Sequence, residues 1–400
     1  MKKNSMGMII VFLVIGLAAA IASVVFMLIY LDPLSQGAFS HQAVEAAADV
    51  TAELPQENAE EYTPEQEPIE PPVYEYYPTY IYTEYIPAPE EQEDDGIVTI
   101  TLSAAGDTTL GGDRRWAGYH AFMREFEQSG RDHSHFLRNV AHIFRDSDLA
   151  IVNLEGVLSY AEEHMDKPFV FRGPPHFAQI LSSSYVDAVT IANNHTIDFF
   201  QRGYNDTRDA LRAEGITYFG NEFNVIKEVN GIYVGLFGFR VWDESTFNRN
   251  RIRDAIENLR TRGAALVIAF YHWGVEGENV PERYQINIGR YSIRHGADLV
   301  LGAHPHVIQG VEQYMGRYIV YSLANFSFGG NSNPPDQDSF IFQQTFVFAD
   351  GILQPYNNTN IIPIFVSSVR YRNDFTPTIA EGADGERIMG RIWRYSGMIY

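Results

Sequence analysis

From Gly96 onward, short apolar runs alternate with segments whose apolar residues recur at helical spacing, the signature of an α/β fold. Val98 to Ala105 predicts a strand running into Gly106-Asp107, and Leu149 to Leu154 a second, with a helix expected between them over His135 to Asp146. Phe177 to Ser183 and Tyr204 to Glu214 read as helices, the latter closed by Gly215, and Ala188 to Ala192 reads as a strand. Asn230-Gly231 predicts a tight hairpin joining Val225–Val229 to Ile232–Phe239. Helix Ile252–Thr261, strand Ala265–Phe270, helix Glu282–His295 and the apolar run Leu299–Leu301 come next. Val307–Val311 and Tyr318–Ser322 are expected to pair around Met315-Gly316. Strands over Phe340–Phe348 and Ile361–Val369 then give the sheet an antiparallel or mixed finish. Residues 96–370 show no internal boundary, and residues 371–400 form an extension to which the pattern assigns no role.

The apolar runs end alike. Within the first residues after five of them stand Asp107, Glu155, Asn194-His195, His272 and His304-Pro-His306. Each has an ordinary explanation alone: an Asp after a strand forms turns, and an isolated His is often a hydrogen-bonded one. Their shared placement at carboxyl ends of strands, where open α/β sheets bind ligands, points instead to one site. Carboxylate, amide oxygen and neutral imidazole suit a divalent ion such as Mn, Zn or Fe, and Asp107 or Glu155 offers a carboxylate able to bridge two ions. His195 is then free to protonate a leaving group. Asn153, Arg172, Glu276 and Asn325 flank these positions as candidate substrate contacts.

The first 95 residues change the picture. Met8 to Leu31 is about 24 residues without a charge, enough at about 1.5 Å rise each to cross a hydrocarbon core of about 30 Å. Lys2 and Lys3 precede it, so the positive-inside rule places residues 1–7 in the cytoplasm and the chain beyond the span outside: a single-pass cell-membrane protein with an extracellular domain. The rival reading is a signal peptide cleaved near Ala20-Ile21-Ala22. Residues 32–95 hold about 17 Asp and Glu and no Lys or Arg, with Pro and the tyrosine-rich stretch VYEYYPTYIYTEYIP, the composition of an extended, disordered tether.

The formal net charge of −22 excludes nucleic acid as a natural partner, and with no cysteine there are neither disulfides nor thiolate metal sites.

Six segments in order, GDTTLGGD at Gly106–Asp113, NLEG at Asn153–Gly156, ANNHTIDF at Ala192–Phe199, HWGVE at His272–Glu276, GADLVLGAHPHVIQGVE from Gly296, and YSLANFSF at Tyr321–Phe328, resemble the CapA family of poly-gamma-glutamate capsule biosynthesis proteins, themselves similar in fold to calcineurin-like metallophosphoesterases. The resemblance covers roughly residues 97–330. It implies a four-layer sandwich of two mixed sheets flanked by helices. It also implies Asp107 as first metal carboxylate, Asn194 as amide ligand, His195 as acid, and His272, His304 and His306 as imidazole ligands. The chain departs from the phosphoesterase pattern at Thr109, where that pattern has histidine, and at Asn153-Leu154-Glu155, where it has a bridging Asp. It departs from the family at Ala324, usually Gly.

The implied function is a component of surface-polymer synthesis or export that works with poly-gamma-glutamate or another polymer and with membrane synthase subunits. A metal-dependent hydrolase of phosphoester or amide bonds, and a metal-stabilised polymer-binding module, are the alternatives. An acidic polymer calls for a local basic patch, for which Arg114, Arg115, Lys167 and Arg172 are the candidates.

Overall fold

The first strand, β1 (Ile97–Thr109), is long because its residues serve two partners: its first half pairs antiparallel with a late strand, its second half parallel with β2 (Leu149–Leu154). The computed structural model describes residues 96–400. The expected cytoplasmic segment, span and tether lie outside the described residues, and among those described no helix is long and apolar enough to cross a membrane.

After β2 come a two-stranded ribbon of β3 (Val157–Leu158) and β4 (Arg172–Gly173), then β5 (Ala188–Thr190) and β6 (Thr217–Phe219), which extend the parallel half of the first sheet. A second sheet is built from β7 (Val225–Val229), β8 (Ile232–Arg240), β9 (Leu266–His272), β10 (Leu299–Ala303), β11 (Val311–Tyr314) and β12 (Arg317–Val320), in the order β11-β12-β10-β9-β8-β7. The chain then returns to the first sheet with β13 (Asn325–Phe328), parallel to the end of β1, and with β14 (Asp338–Ala349), β15 (Ile352–Phe365) and β16 (Thr378–Ile379). Both sheets are mixed, in line with the sequence pattern.

Alternation along the strands sorts the layers. Leu102, Leu149 and Ile151 of the first sheet share a core with Leu266, Ile268, Leu299 and Leu301 of the second, so the sheets face each other. The intervening residues Ala150 and Val152 pack with Phe122, Phe136 and Ile180 from helical segments. Val267, Ala269 and Val300 pack with Ile252, Ile256 and Ile288 from helices Thr246–Thr261 and Arg283–Arg294. Residues with no assigned role also enter this core: helix Gly382–Ser396 places Ile388, Ile392 and Tyr395 against the inter-sheet cluster.

Several local expectations change. The helix over His135–Asp146 is instead a 3₁₀ turn at His133–His135, capped by Asp132, and a short helix Ala141–Arg145. Phe136, Val140, Ile143 and Phe144 are buried all the same, so their spacing reported burial and not a continuous helix. Helix Ala117–Gln128 was not expected. The hairpin around Met315-Gly316 starts at Val311, not Val307, because residues 304–310 form the loop that carries the paired histidines. The hairpin at Asn230-Gly231 forms as expected, both residues with positive φ.

The C-terminal helix is tied down by charge as well as by apolar packing. Asp338, 6% exposed, accepts from Arg387 and Arg391, and Arg391 also reaches Asp336. Burial alone raises the Asp338 carboxyl, but the two guanidiniums outweigh it and hold it below the usual carboxylate range. That contribution is fully present above the ordinary carboxylate pKa of about 4 and is lost as pH falls below it. Asp338→Asn is expected to lower unfolding free energy by about 2 kcal/mol at pH 7. Urea denaturation of wild type and variant should show the gap closing as pH drops below about 4, and a pH-independent gap refutes this account.

Candidate functional site

The ends of β1, β2, β9 and β10 bring their terminal side chains together. Asp107 sits opposite Asn153 on β2 and Asn325 on β13, and His272 sits opposite Ala303, one residue before His304. Gly106 is required beside Asp107, because a Cβ there would lie 1.8 Å from the Ala324 carbonyl that accepts from the Asp107 amide. Ala324 itself has φ +60, a left-handed backbone that favours glycine. His304 and His306 are left-handed too, at φ +99 and +59, which turns the His304 amide onto Asp107 Oδ2 at 3.1 Å.

Asp107 is fully buried. Its Oδ1 accepts from Asn153 Nδ2 at 2.7 Å, and its Oδ2 lies 3.1 Å from His306 Nδ1, which also contacts Asn325 Oδ1 at 2.9 Å. Asn153 Nδ2 is 3.3 Å from His272 Nδ1, and His272 Nε2 is 2.8 Å from Asn194 Oδ1. Glu155 is different. Fully buried, it has no hydrogen bond on either carboxylate oxygen, while Oε1 stands 3.7 Å from His272 Nε2 and 3.8 Å from His195 Nε2, and Oε2 stands 3.9 Å from His306 Nδ1. His304 Nδ1 is likewise buried and unpaired. Asn193 braces the neighbouring loop, donating to Asn153 Oδ1 and the Leu154 carbonyl and accepting from the His195 amide.

The electrostatics arise from this crowding. Burial, then the nearby Asp107, pushes Glu155 well above its ordinary range. Burial, then His304, holds His272 far below its ordinary value, and burial followed by His306 lowers His304 to about 4. Burial lowers His306 too, but Glu155 and Asp107 outweigh it and push it up to about 10. Orphaned Glu155 oxygens beside imidazoles that burial holds neutral at His195, His272 and His304 are a donor set a divalent cation would satisfy. Three overlapping groups have ligand atoms all within 4.8 Å of one another: Glu155, His272 and His304; Asp107, Glu155 and His306; Glu276, His304 and His306. Glu276 is the exposed member.

Of the residues expected at the site, Asp107, Asn153, Glu155, Asn194, His195, His272, Glu276, His304, His306 and Asn325 are brought together. Arg172 is not: its buried guanidinium turns to Glu162 at 3.2 Å and to the face of Phe199. The expected basic patch is also neutralised, with Arg114 on Glu162, Arg115 on Asp113 and Lys167 on Asp198. Thr109 donates to the Glu155 carbonyl at 2.8 Å, a structural use of that position.

Asp198 joins the site without being among the residues expected there. Its Oδ2 lies 2.6 Å from His195 Nδ1 and accepts from the Phe171 amide at 2.6 Å, while Lys167 sits on Oδ1 and the Phe171 ring stacks on His195 at 4.0 Å. The His195-x-x-Asp198 spacing was the available signal. Burial lowers His195, partly opposed by Asp198. A neutral His195 donates a hydrogen bond from Nδ1–H to Asp198 and leaves Nε2 open toward Glu155.

A mixed α/β domain with a buried cluster of metal-ligand residue types at its strand ends is the class that fold and site define. The chain belongs to the bacterial capsule synthesis protein PGA_cap family, whose profile matches residues 101–330. It is 27% identical over 223 residues to the PGA biosynthesis protein CapA of Bacillus subtilis, covering 50% of this chain and 58% of that protein. It is 25% identical over 256 residues to the capsule biosynthesis protein CapA of Bacillus anthracis, covering 57% and 60%. The match thus spans less than two thirds of either relative. A hypothetical protein of Thermus thermophilus aligns over 66% of this chain and 99% of its own at 14% identity, with a TM-score of 0.39, too slight a likeness to carry an argument.

Removing the Asp198 carboxylate should leave Lys167 unmatched and release the His195 ring. Asp198→Asn is expected to cost about 3 kcal/mol in chemical denaturation and to shift the His195 ring nitrogens in ¹⁵N NMR toward a mixture of tautomers. Unchanged stability together with an unchanged ring signal refutes the dyad.

Proposed function

We propose that this chain serves capsule polymer biosynthesis or export through a divalent-metal centre at the strand ends, carried on an extracellular domain tethered to the membrane by residues 8–31. The observation that carries the metal centre is Glu155: a fully buried carboxylate with both oxygens unpartnered and three imidazoles around it. In this reading Glu155 would be shared by two overlapping ligand groups, one with His272 and His304 and with Asn194 adjacent, the other with Asp107 and His306. Mn, Zn or Fe suits the donors. The layer order, helices over sheet over sheet over helices, supports kinship with metallophosphoesterases. The family and the two Bacillus relatives support the capsule role and a PGA-type polymer; membrane synthase subunits are the partners this proposal adds.

A bound dication supplies Lewis acidity and an acidified water. One further observation favours a hydrolytic reading of the same site, on phosphoester or amide: His195, set by Asp198 on one nitrogen, aims the other at Glu155. As the acid, His195 must carry both protons in the working state, which Asp198 favours and burial opposes.

The test uses the full-length protein in detergent, stripped by chelator and reloaded with Mn or Zn. Wild type is expected to retain metal by elemental analysis and to gain about 2.7 kcal/mol of stability at a free cation concentration of about 100 times Kd. Glu155→Gln should lose most of that gain. A wild type that neither holds a divalent ion nor responds to one defeats the metal centre. Turnover of a chromogenic phosphodiester, abolished in His195→Ala with metal retained, selects the hydrolase.

A further inference from the structure

Strand β8 ends beside the site, and the ladder runs on past it, since the Val241 amide donates to the His272 carbonyl at 3.0 Å. Its side chains alternate. Leu236 belongs to the core between the sheets, whereas Phe237, Phe239 and Val241 belong to the outer core beneath the helices. Arg240 and Trp242 therefore project on the Leu236 side, where Arg240 is in register with His272. The Trp242 ring, 42% exposed, lies 4.7 Å from the His304 ring and 6.1 Å from that of His272, centroid to centroid.

Arg240 is exposed, and among the described residues its guanidinium has no hydrogen-bond or ion-pair partner. Its main-chain carbonyl alone is engaged, by Arg251. The other cations around the cluster are spoken for: Lys167 by Asp198, Arg115 by Asp113, and Arg114 and Arg172 by Glu162. An exposed arginine without a partner is ordinary on a protein surface. Arg240 is set apart by its anchoring. The ladder holds its backbone against His272, where its positive charge works against a second cation unless an anion binds between them.

We propose that Arg240 and Trp242 form the recognition wall of the strand-end site, gripping an oxyanion, carboxylate or phosphate, on the chain being processed. This rests on the reading that the Glu155 cluster is the working centre. The guanidinium fork takes two oxygens of such a group, and the indole packs against the adjoining apolar stretch. Arg240 sets which charge the site accepts; Lys167, Arg115, Arg114 and Arg172 are already turned to carboxylates, the last two sharing Glu162. The two sources of an oxyanion, the pendant α-carboxylate of poly-gamma-glutamate and a phosphate ester, share this chemistry and are separated by the probe.

The experiment is calorimetric titration of the full-length, metal-loaded protein in detergent with a poly-gamma-glutamate oligomer and, separately, with phenyl phosphate. Wild type, Arg240→Gln, Arg240→Lys and Trp242→Leu are compared, with bound metal measured on each. Arg240→Gln should weaken at least one probe about tenfold with metal content unchanged. Arg240→Lys should recover part of the loss, and Trp242→Leu should weaken the same probe severalfold. The probe affected names the source of the oxyanion. The inference is overturned if Arg240→Gln binds both probes as wild type does, if wild type binds neither, or if binding and metal are lost together. A wild type that holds no metal yet loses probe binding in Arg240→Gln defeats the metal centre and leaves the recognition wall standing.

Discussion

The Asp107 carboxylate joins the two sheets where their strands end. Its Oδ1 takes Asn153 from the first sheet, and its Oδ2 takes the His304 amide and faces His306 from the second. A buried carboxylate is costly unless its oxygens are engaged, so these contacts fix how β1 and β10 meet. The left-handed backbone at His304, His306 and Ala324 is the strain that this meeting imposes, and the same strain presents the two imidazoles to Glu155. The site is thus a product of the way the sheets close on each other more than of any one loop.

Around that joint Glu155 stands apart from the other buried carboxylates. Asp198 is held by Lys167, His195 and a main-chain amide, Arg115 pairs with Asp113, and Arg114 and Arg172 share Glu162. Glu155 has none of this: imidazoles near 4 Å are too distant to hydrogen-bond it. Asp107 and Asp198, equally buried, are engaged by donors while Glu155 is left bare, so its oxygens are available to a ligand from outside the chain.

Much of this was legible in the sequence, for identifiable reasons. The strands that carry the site are fully buried runs bounded by turn residues, so Leu149–Leu154 was readable to the residue, and strand-end logic gathered ten of the eleven candidate positions. Arg172 failed because its position on a two-residue strand says nothing about side-chain direction, which the Phe199 face and Glu162 decide. Asp198 and Trp242 were missed because neither lies in the first residues after a strand that had been singled out. Trp242 comes after β8, whose pattern predicts only a hairpin arm, although its end abuts His272. Tertiary packing also broke the helix expected over His135–Asp146, since burial of Phe136 and Val140 needed no continuous helix.

The two departures from the phosphoesterase pattern are coupled. Thr109, where a histidine would stand, commits its hydroxyl to the Glu155 carbonyl, and Asn153 commits its amide to Asp107. Both bonds brace the turn after β2, and the result is that the free carboxylate arrives from Glu155, two residues beyond Asn153. A histidine at position 109 would add a donor but remove the hydroxyl that holds Glu155 in place, inside a pocket where Thr109 is already 1% exposed. Thr109, Asn153 and Glu155 are therefore interdependent, and replacing Thr109 would unsettle the turn that carries Glu155.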